Sequence, residues 1–288
     1  TGVSAVSYAG NTYSLTEGKV TFGDVAEMSD DTKLLASATA RNLVVTTETG
    51  KYSYPNVTLW SLIVDNEEEL RSMNSYQVAP DYKGAYKLTT SIALTPVEGT
   101  TDQTWKTEWQ LGQGLWNGFN GVFDGQNYTV SNLNVNSEAQ TGANYSSGLF
   151  GWVESHTAGH GHLKNVTISG AVVNGHHNCG ALVGYITQET ALVENCHVTG
   201  ATISCTKANN DADGDKAGAL IGNATVATPV KDCTAANSTV SAGRDAGQVI
   251  GAGKAANVTG CSATDVAVSA NGTSTGANVR NEVIGRLL

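Results

Sequence analysis

Five short hydrophobic segments, each closed by a glycine, recur through the last half of the chain. These tetrads are Gly148–Gly151, Ala181–Gly184, Ala219–Gly222, Gln248–Gly251 and Glu282–Gly285. Their closing glycines lie 33, 38, 29 and 34 residues apart. Self-similarity with a period of about 20 to 50 residues is typical of proteins in which each repeat stacks on the next and none can bury its apolar face alone. The chain is therefore predicted to be a stacked-repeat scaffold.

One repeat, residues 163–186, contains three short segments with the pattern of strands. Leu163–Ile168 alternates apolar and polar residues, Ala171–Val173 follows a turn, and Ala181–Ile186 follows a polar loop at 174–178. A period of two is typical of half-buried strands, and the segments leave no room for a helix between them. Parallel strands joined by a crossover are almost always connected in the right-handed sense. The sequence therefore predicts an all-β fold, a right-handed parallel β-helix of about five three-stranded coils.

Three of the five cysteines fall at one equivalent place in successive repeats. They are Cys196, Cys233 and Cys261, and the first repeat has Val166 there. We expect them to be buried in one column as small apolar side chains. Neighbouring strands lie about 4.8 Å apart, whereas a disulfide prefers Cβ atoms about 3.8 Å apart. Free thiols are therefore predicted.

Residues 1–61 differ from the repeats, since their short alternating segments are separated by Gly, Asn and Asp. They predict a small β domain, for which a partial immunoglobulin-like unit is one form. Residues 62–288 are predicted to be a helix-capped parallel β-helix, with Tyr86–Leu94 as its first strand.

Val64–Ser75 is predicted to be the one helix of the chain. Asp65 or Asn66 can cap it, and Leu70 and Met73 share a face. Since a stack of strands exposes an edge at each end, we expect this helix to cover one of them.

Charge and hydropathy argue against a nucleic-acid partner and against a membrane-spanning helix. The formal charge of −10 is spread along the chain without a basic stripe, which argues against nucleic acid as a partner. No apolar run approaches the roughly 18 residues that a membrane-spanning helix needs, so no transmembrane segment is predicted.

From the helix onward, about residues 62–288, the chain resembles proteins with GLUG-type repeats. The resemblance is carried by the lead-in Glu68–Leu70 with Tyr86–Leu94, by the segment Trp116–Leu133 with its Phe-Asp-Gly signature, and by the alternation of strands with tetrads. It implies a bacterial β-helix that is secreted or associated with the outer membrane and that serves in adhesion. It implies no catalytic residue.

The loop at 209–215 resembles the start of a calcium-binding loop. Oxygen-bearing side chains occupy alternate positions, Asn209, Asp211, Asp213 and Asp215. The glutamate that closes such a loop is missing, because the twelfth position is Leu220. A calcium site and a solvated acidic turn both fit the pattern, and the missing ligand favours the turn. No other cofactor is expected.

Five of the six histidines fall in two neighbouring loops, at His156, His160, His162, His176 and His177. Three imidazoles brought together could hold zinc or copper. The glycine-rich spacing and the lack of a carboxylate or thiolate beside them favour plain surface loops.

Four tryptophans lie around the first tetrad: Trp105, Trp109, Trp116 and Trp152. If exposed, they would form a platform on which sugar rings stack. If buried, they would fill a wide first coil, which is the default environment of tryptophan. Their exposure distinguishes the two hypotheses.

Polysaccharide cleavage is the enzymatic alternative, because many lyases and glycoside hydrolases are β-helices. Such chemistry needs two carboxylates about 5–10 Å apart, or a carboxylate with basic groups, converging on a groove. The sequence instead offers isolated acids: Asp124, Glu154, Glu194, Asp232 and Asp265. Glu194 and Asp232 are predicted to be equivalent in adjacent repeats, without further acids around them. We therefore predict a protein that is not an enzyme.

A secreted or cell-surface binding or adhesion protein is the favoured function, with a glycan or an extracellular protein as its ligand. Polar loops of unequal length are predicted to leave one side of the scaffold, at 136–147, 155–162, 205–216, 241–246 and 270–281. Insertions on one face are where repeat proteins usually bind. A passive spacer that displays the N-terminal domain is the remaining alternative.

Overall fold

A computed structural model gives the architecture of the chain. It describes residues 2–8, 11–20, 40–73, 84–100, 102–106, 118–138, 146–154, 161–187, 190–205, 215–224, 228–270 and 278–288. All structural statements concern these residues.

The N-terminal region forms a small antiparallel sheet. Its strands are β1 (Val3–Tyr8), β2 (Asn11–Tyr13), β5 (Arg41–Thr47) and β6 (Gly50–Val57), in the order β2-β1-β5-β6, and β3 (Leu15–Thr16) pairs separately with β4 (Lys19–Val20). The buried Tyr8 hydroxyl donates to the Val57 carbonyl oxygen over 3.0 Å, which ties the first strand to the end of the last. The strands predicted at Val3–Tyr8 and Asn42–Thr47 are confirmed as β1 and β5, the one predicted at Asn56–Trp60 is wrong because β6 ends at Val57, and the separate domain stays a prediction.

A short parallel strand and a helix begin the repeat region. Strand β7 (Leu62–Val64) pairs with the next strand of the chain and is followed by α1 (Glu67–Ser72). Asn66 caps the helix, since its side-chain oxygen accepts the Glu69 N–H at 2.9 Å. Leu70 and Met73 are fully buried in the main core. The predicted helix and its cap are confirmed over a shorter range.

The remaining strands are short and follow one another without a further α-helix among the described residues. They are β8 (Ala85–Leu88), β9 (Ile92–Ala93), β10 (Val122–Ser131), β11 (Asn134–Asn136), β12 (Ser146–Ser147), β13 (Phe150–Val153), β14 (His162–Ser169), β15 (Val172–Gly175), β16 (Asn178–Cys179), β17 (Val183–Ile186), β18 (Leu192–Glu194), β19 (His197–Thr199), β20 (Thr202–Cys205), β21 (Lys216–Gly218), β22 (Ile221–Ala224), β23 (Val230–Lys231), β24 (Thr234–Ala242), β25 (Asp245–Gly247), β26 (Ile250–Gly253), β27 (Val258–Thr259), β28 (Ser262–Ala270), β29 (Asn278–Val279) and β30 (Ile284–Leu287). A 3-10 turn, Ala255–Asn257, precedes β27.

The sequence predicted Tyr86–Leu94 as the first strand of the stack, and this prediction is wrong. The segment is divided between β8 and β9, and β7 lies outside β8 at the edge of the sheet. β7 was not predicted, because three residues are too few to show the alternation of apolar and polar residues that indicates a strand.

Three parallel sheets contain all the described strands from β7 onward. Sheet 1 has 14 strands and runs from β7 to β28, sheet 2 has the order β12-β16-β21-β25-β29, and sheet 3 has the order β13-β17-β22-β26-β30. Each repeat contributes strands to all three sheets; we call this set a rung. The second rung, for example, is β14 and β15 in sheet 1, β16 in sheet 2 and β17 in sheet 3. The all-β class with parallel sheets is thereby confirmed.

Sheet 1 bends at two columns of residues with left-handed backbone. The first column is Asn127, Asn165, Asn195, Asp232 and Gly260, with φ between 50 and 66°, and the second is Asn132, Gly170, Gly200, Asn237 and Asp265, with φ between 49 and 65°. Asn, Asp and Gly tolerate this conformation best, which explains their repetition. In the first column the Asn195 amide donates to the Asn165 and Asn127 side-chain oxygens, at 2.9 and 3.2 Å.

These bends correct one predicted alignment. Glu194 is in register with Lys231, and Asp232 occupies the column of Asn195, so Glu194 and Asp232 are not equivalent. Lys231 and Glu194 continue a column of alternating charge in which Asp124 forms an ion pair with Lys164 at 3.4 Å. Alternating charges on adjacent strands attract each other, which accounts for these acids as parts of the sheet surface.

The core lies between the sheets and changes along the stack. The first rungs bury large rings, with Phe150 at 4.9 Å from Phe119 and 5.4 Å from Phe123 between ring centroids. Later rungs fill the same interior with Val, Ile, Leu, Ala and Cys. Cys196 and Cys233 are fully buried, Cys261 is half-buried, and all five cysteines are free thiols, as the sequence predicted.

Candidate functional site

Sheets 2 and 3 meet at a buried turn, and this turn creates a notch. The tetrad residues that connect the sheets are in the core: Ala181, Leu182, Ala219, Leu220 and Val249 are all fully buried. The sequence predicted a strand from Ala181, but β17 begins at Val183 and the preceding residues form the turn. Because the connection points into the core, the outer faces of the two sheets open toward the other side and face each other.

The wall of the notch on sheet 2 is a column of polar residues. Ser146, Asn178, Lys216 and Asp245 are in register on successive strands, and their exposed fractions are 2, 8, 5 and 0%. Their neighbours Ser147, Cys179, Ala217 and Ala246 occupy the alternate positions, with Cys179, Ala217 and Ala246 in the core. The polar column therefore points away from the core and is nevertheless buried. The predicted polar loop at 174–178 is wrong at both ends, since Asn174 and Gly175 belong to β15 and Asn178 belongs to β16.

The wall on sheet 3 combines aromatic and polar residues. Trp152, Tyr185, Asn223, Ala252 and Arg286 are in register along the stack. The Trp152 and Tyr185 rings are half-buried, with centroids 4.9 Å apart and planes tilted by 56°. The Trp152 indole N–H donates to the Thr187 hydroxyl at 3.0 Å, which fixes the ring. Two adjacent rings on one wall form a surface suited to an apolar face of a ligand.

Two sets of contacts show that the walls face each other. Arg286 of sheet 3 forms an ion pair with Asp245 of sheet 2 at 3.4 Å. The closing glycines of the tetrads lie against sheet 2 of the preceding rung. A Cβ added to Gly184 would lie 2.6 Å from Ser146 Cβ, and one added to Gly222 would lie 2.5 Å from the Cys179 nitrogen. The repeated glycine thus exists because the two sheets approach here more closely than any side chain allows.

Two amide oxygens in the notch have no hydrogen-bond partner. They are Asn178 Oδ1 and Asn223 Oδ1, on facing walls. The Asn178 amide nitrogen donates to Ser146 Oγ at 3.2 Å, so only the oxygen of this side chain is unsatisfied. Buried carbonyl oxygens without a donor are rare in folded proteins. Both oxygens are covered by neighbouring groups, so each can accept a hydrogen bond from a bound group once a neighbouring side chain moves aside.

The notch was not predicted from the sequence, although a signal for it exists. A polar residue, a small residue and a glycine precede the turn in successive repeats: Ser146-Ser147-Gly148, Asn178-Cys179-Gly180, Lys216-Ala217-Gly218 and Asp245-Ala246-Gly247. The closing glycine follows three or four residues later. Polar residues at a fixed distance from a glycine that admits another backbone indicate a shared wall rather than a loop.

Two of the four predicted tryptophans are described by the structure, and they lie in different environments. Trp105 is fully buried in the main core, so the predicted stacking role is wrong for this residue and its ring fills the first rungs. Trp152 lies in the notch beside Tyr185, which the sequence analysis had not singled out. Trp109 and Trp116 lie outside the described residues.

The predicted calcium ligands lie mostly outside the described part of the chain. Asn209, Asp211 and Asp213 lie outside the described residues, whereas Asp215 is 1% exposed and directly precedes β21. Of the predicted histidine group, His156 and His160 also lie outside. Among the described residues no three His, Cys, Asp or Glu side chains are grouped to hold a metal ion. The calcium site stays a prediction.

The buried thiols are held in their neutral form. The hydrogen-bonded Cys196 thiol and burial raise the pKa of Cys233 to about 12, despite an opposing contribution from Cys261. Burial and the neighbouring Cys179 raise the pKa of Cys205. Thiols that resist ionisation are poor nucleophiles, so these cysteines are packing residues.

No protein-family model, curated protein or solved structure matches the chain. Within the described residues, no helix is long and apolar enough to cross a membrane.

Proposed function

We propose that the chain is a binding or adhesion protein without catalytic activity, secreted or held at a bacterial surface, and that its ligand is a glycan. The observation that supports this best is the notch, in which the Trp152–Tyr185 pair lies opposite buried hydrogen-bonding groups. Sugar rings present an apolar face and a polar edge, and such sites combine aromatic surface with a few placed polar groups.

The architecture proposed with this function is a right-handed parallel β-helix with GLUG-type repeats. Three parallel sheets with one strand set per repeat support it, and the right-handed sense follows from the general rule for connections between parallel strands. The five rungs and the preceding helix agree with a helix-capped stack. In such a scaffold the strands fix the spacing of side chains, and the site consists of residues from several rungs.

Affinity electrophoresis of the full chain in gels that contain soluble polysaccharides tests the proposal. We expect retardation by at least one polysaccharide, and loss of most of it in Trp152→Ala and Tyr185→Ala, because each variant removes one of the two rings. Stacking of a nucleic-acid base on a single aromatic side chain contributes about 1–3 kcal/mol. If a sugar ring gains a similar free energy, the affinity should fall about tenfold or more in each variant.

Tyr128→Ala is the matched control. Tyr128 is 36% exposed on sheet 1 and does not belong to the notch, so this variant should be retarded like the parent. Equal loss in all three variants would contradict a site in the notch. Absence of binding to glycans and to extracellular matrix proteins would favour the passive spacer, and release of reducing or unsaturated sugars would favour the enzymatic alternative.

A further inference from the structure

The notch contains an unexplained polar feature beside its aromatic pair. Asn223 is 3% exposed and Asn178 is 8% exposed, and neither side-chain oxygen has a partner. Asn223 is the register neighbour of Tyr185 on sheet 3. The close approach of Gly222 to Asn178 and Cys179 brings the two walls together at this level of the stack.

The fold does not require an asparagine at either position. In the next rung the position of Asn223 is occupied by Ala252, which is fully buried at the same place. In the preceding rung the position of Asn178 is occupied by Ser146. A small side chain is therefore sufficient to close the wall, and two buried acceptors without donors reduce stability. Groups that are unfavourable for folding and concentrated at one place are typical of binding sites.

We infer that Asn178 and Asn223 accept hydrogen bonds from the hydroxyl groups of a neutral sugar unit whose apolar face lies against Tyr185. This inference rests on the proposed function and specifies its ligand class. The two oxygens can only accept, so the ligand must supply donors. Sugar hydroxyls do so, and sites that bind such a group discriminate strongly against analogues that lack it.

The charges in the notch favour a neutral ligand over an ionic one. Asp245 is paired with Arg286, and Lys216 lies in register between Asn178 and Asp245 on sheet 2. An anionic sugar would meet the Asp245 carboxylate together with the two amide oxygens, and a cationic sugar would meet Lys216 and Arg286. A neutral sugar meets neither repulsion.

Two single substitutions, Asn223→Ala and Asn178→Ala, test this inference in the full chain. The probes are a neutral polysaccharide that retards the parent protein and polygalacturonate as the acidic comparison. We expect each variant to bind the neutral polysaccharide about tenfold more weakly. The Tm of Asn223→Ala should stay equal to that of the parent or rise, because a buried unsatisfied acceptor has been removed, whereas Asn178→Ala also loses the hydrogen bond to Ser146 Oγ and should have a slightly lower Tm. Polygalacturonate should not compete.

Asn174→Ala is the control, because Asn174 lies in β15 on sheet 1 and outside the notch. It should leave binding unchanged. A fall in Tm with unchanged affinity in the two notch variants would overturn the inference, since the amides would then be structural, satisfied by ordered water. Tighter binding of polygalacturonate than of the neutral polysaccharide would also overturn it. If Trp152→Ala and Tyr185→Ala lose binding and the asparagine variants keep it, this inference fails and the proposed function stands; if the parent binds no glycan, both fail.

Discussion

The two ends of the parallel stack solve the same packing problem with different residues. One column of the core runs through Phe150, Val183, Ile221, Ile250 and Ile284, in register from the first rung to the last. At its beginning the ring of Phe150 contacts two other phenylalanines, whereas at its end a single aliphatic side chain suffices.

The ends also differ in how they are covered. Before the first rung, α1 places Leu70 and Met73 in the core, and both are fully buried. In the last rung the side chains Cys261, Val268 and Val283 are only partly buried, although their counterparts Cys233, Val240 and Val249 are buried almost completely. The backbone pairing that repeats along the stack therefore fixes the spacing of the rungs, whereas the width of the core and its shielding are decided locally.

The largest effect should come from opening the aromatic end. We expect Phe150→Ala to lower the free energy of unfolding by about 3–5 kcal/mol, because it leaves a cavity beside Phe119 and Phe123 that these rings cannot move to fill. Ile284→Ala, at the other end of the same column and 7% exposed, should cost about 2 kcal/mol, the low end for such a change, because the site borders solvent. Urea denaturation of both variants measures the difference. Equal losses would show that the two ends are packed alike.

An intermediate loss of stability is expected at the closing glycines, where sheets 2 and 3 approach each other in the same way along the whole stack. Gly222→Ala should lower stability by about 1–3 kcal/mol, because the added Cβ would lie 2.5 Å from the Cys179 nitrogen. Gly253→Ala is the matched control, since its Cβ would lie 3.4 Å from the nearest atom, a side-chain methyl of Ile250. Thermal unfolding of both variants decides the point, and a stable Gly222→Ala protein would show that the walls of the notch can separate.

The smallest effect at neutral pH concerns the thiol column of the later rungs. Cys233→Val introduces the residue type of the first member of that column, Val166, so we expect a change below about 1.5 kcal/mol at pH 7. In the folded protein the pKa of Cys233 is raised to about 12 from its ordinary value of 9.0. The unfolded chain therefore binds fewer protons above pH 9, and the stability that the neutral thiol provides is lost as pH rises from about 9 to about 12. Denaturation at pH 7 and near pH 10.5 should show a smaller alkaline loss in the variant than in the parent; identical losses would place the sensitivity elsewhere.

The sequence predicted the features that depend on neighbouring residues. Alternation within each strand and the repeat of Val166, Cys196 and Cys233 predicted a buried column of free thiols, because side-chain direction in a strand has a period of two. The helix cap at Asn66 was predicted for the same local reason. The class of fold follows from such patterns.

What the sequence did not predict depends on contacts between rungs. Asn178 ends a polar segment whose composition is typical of a loop. Only the approach of Gly222 from the next rung makes Asn178 part of a wall. Trp105 and Trp152 are identical in type, and one is buried in the core while the other lies in the notch. The misalignment of Asp232 arose because a left-handed residue interrupts the alternation on which the comparison of repeats relied.

The left-handed columns of sheet 1 have a consequence for how such a chain can change its size. Each bend is specified within its own repeat by one Asn, Asp or Gly, such as Asn165 or Gly200. Recombination between equivalent points of two repeats would therefore add or remove one whole layer and keep every other bend and strand in register. Each layer added or removed would change the length of the stack by about 4.8 Å and leave the starting helix unchanged.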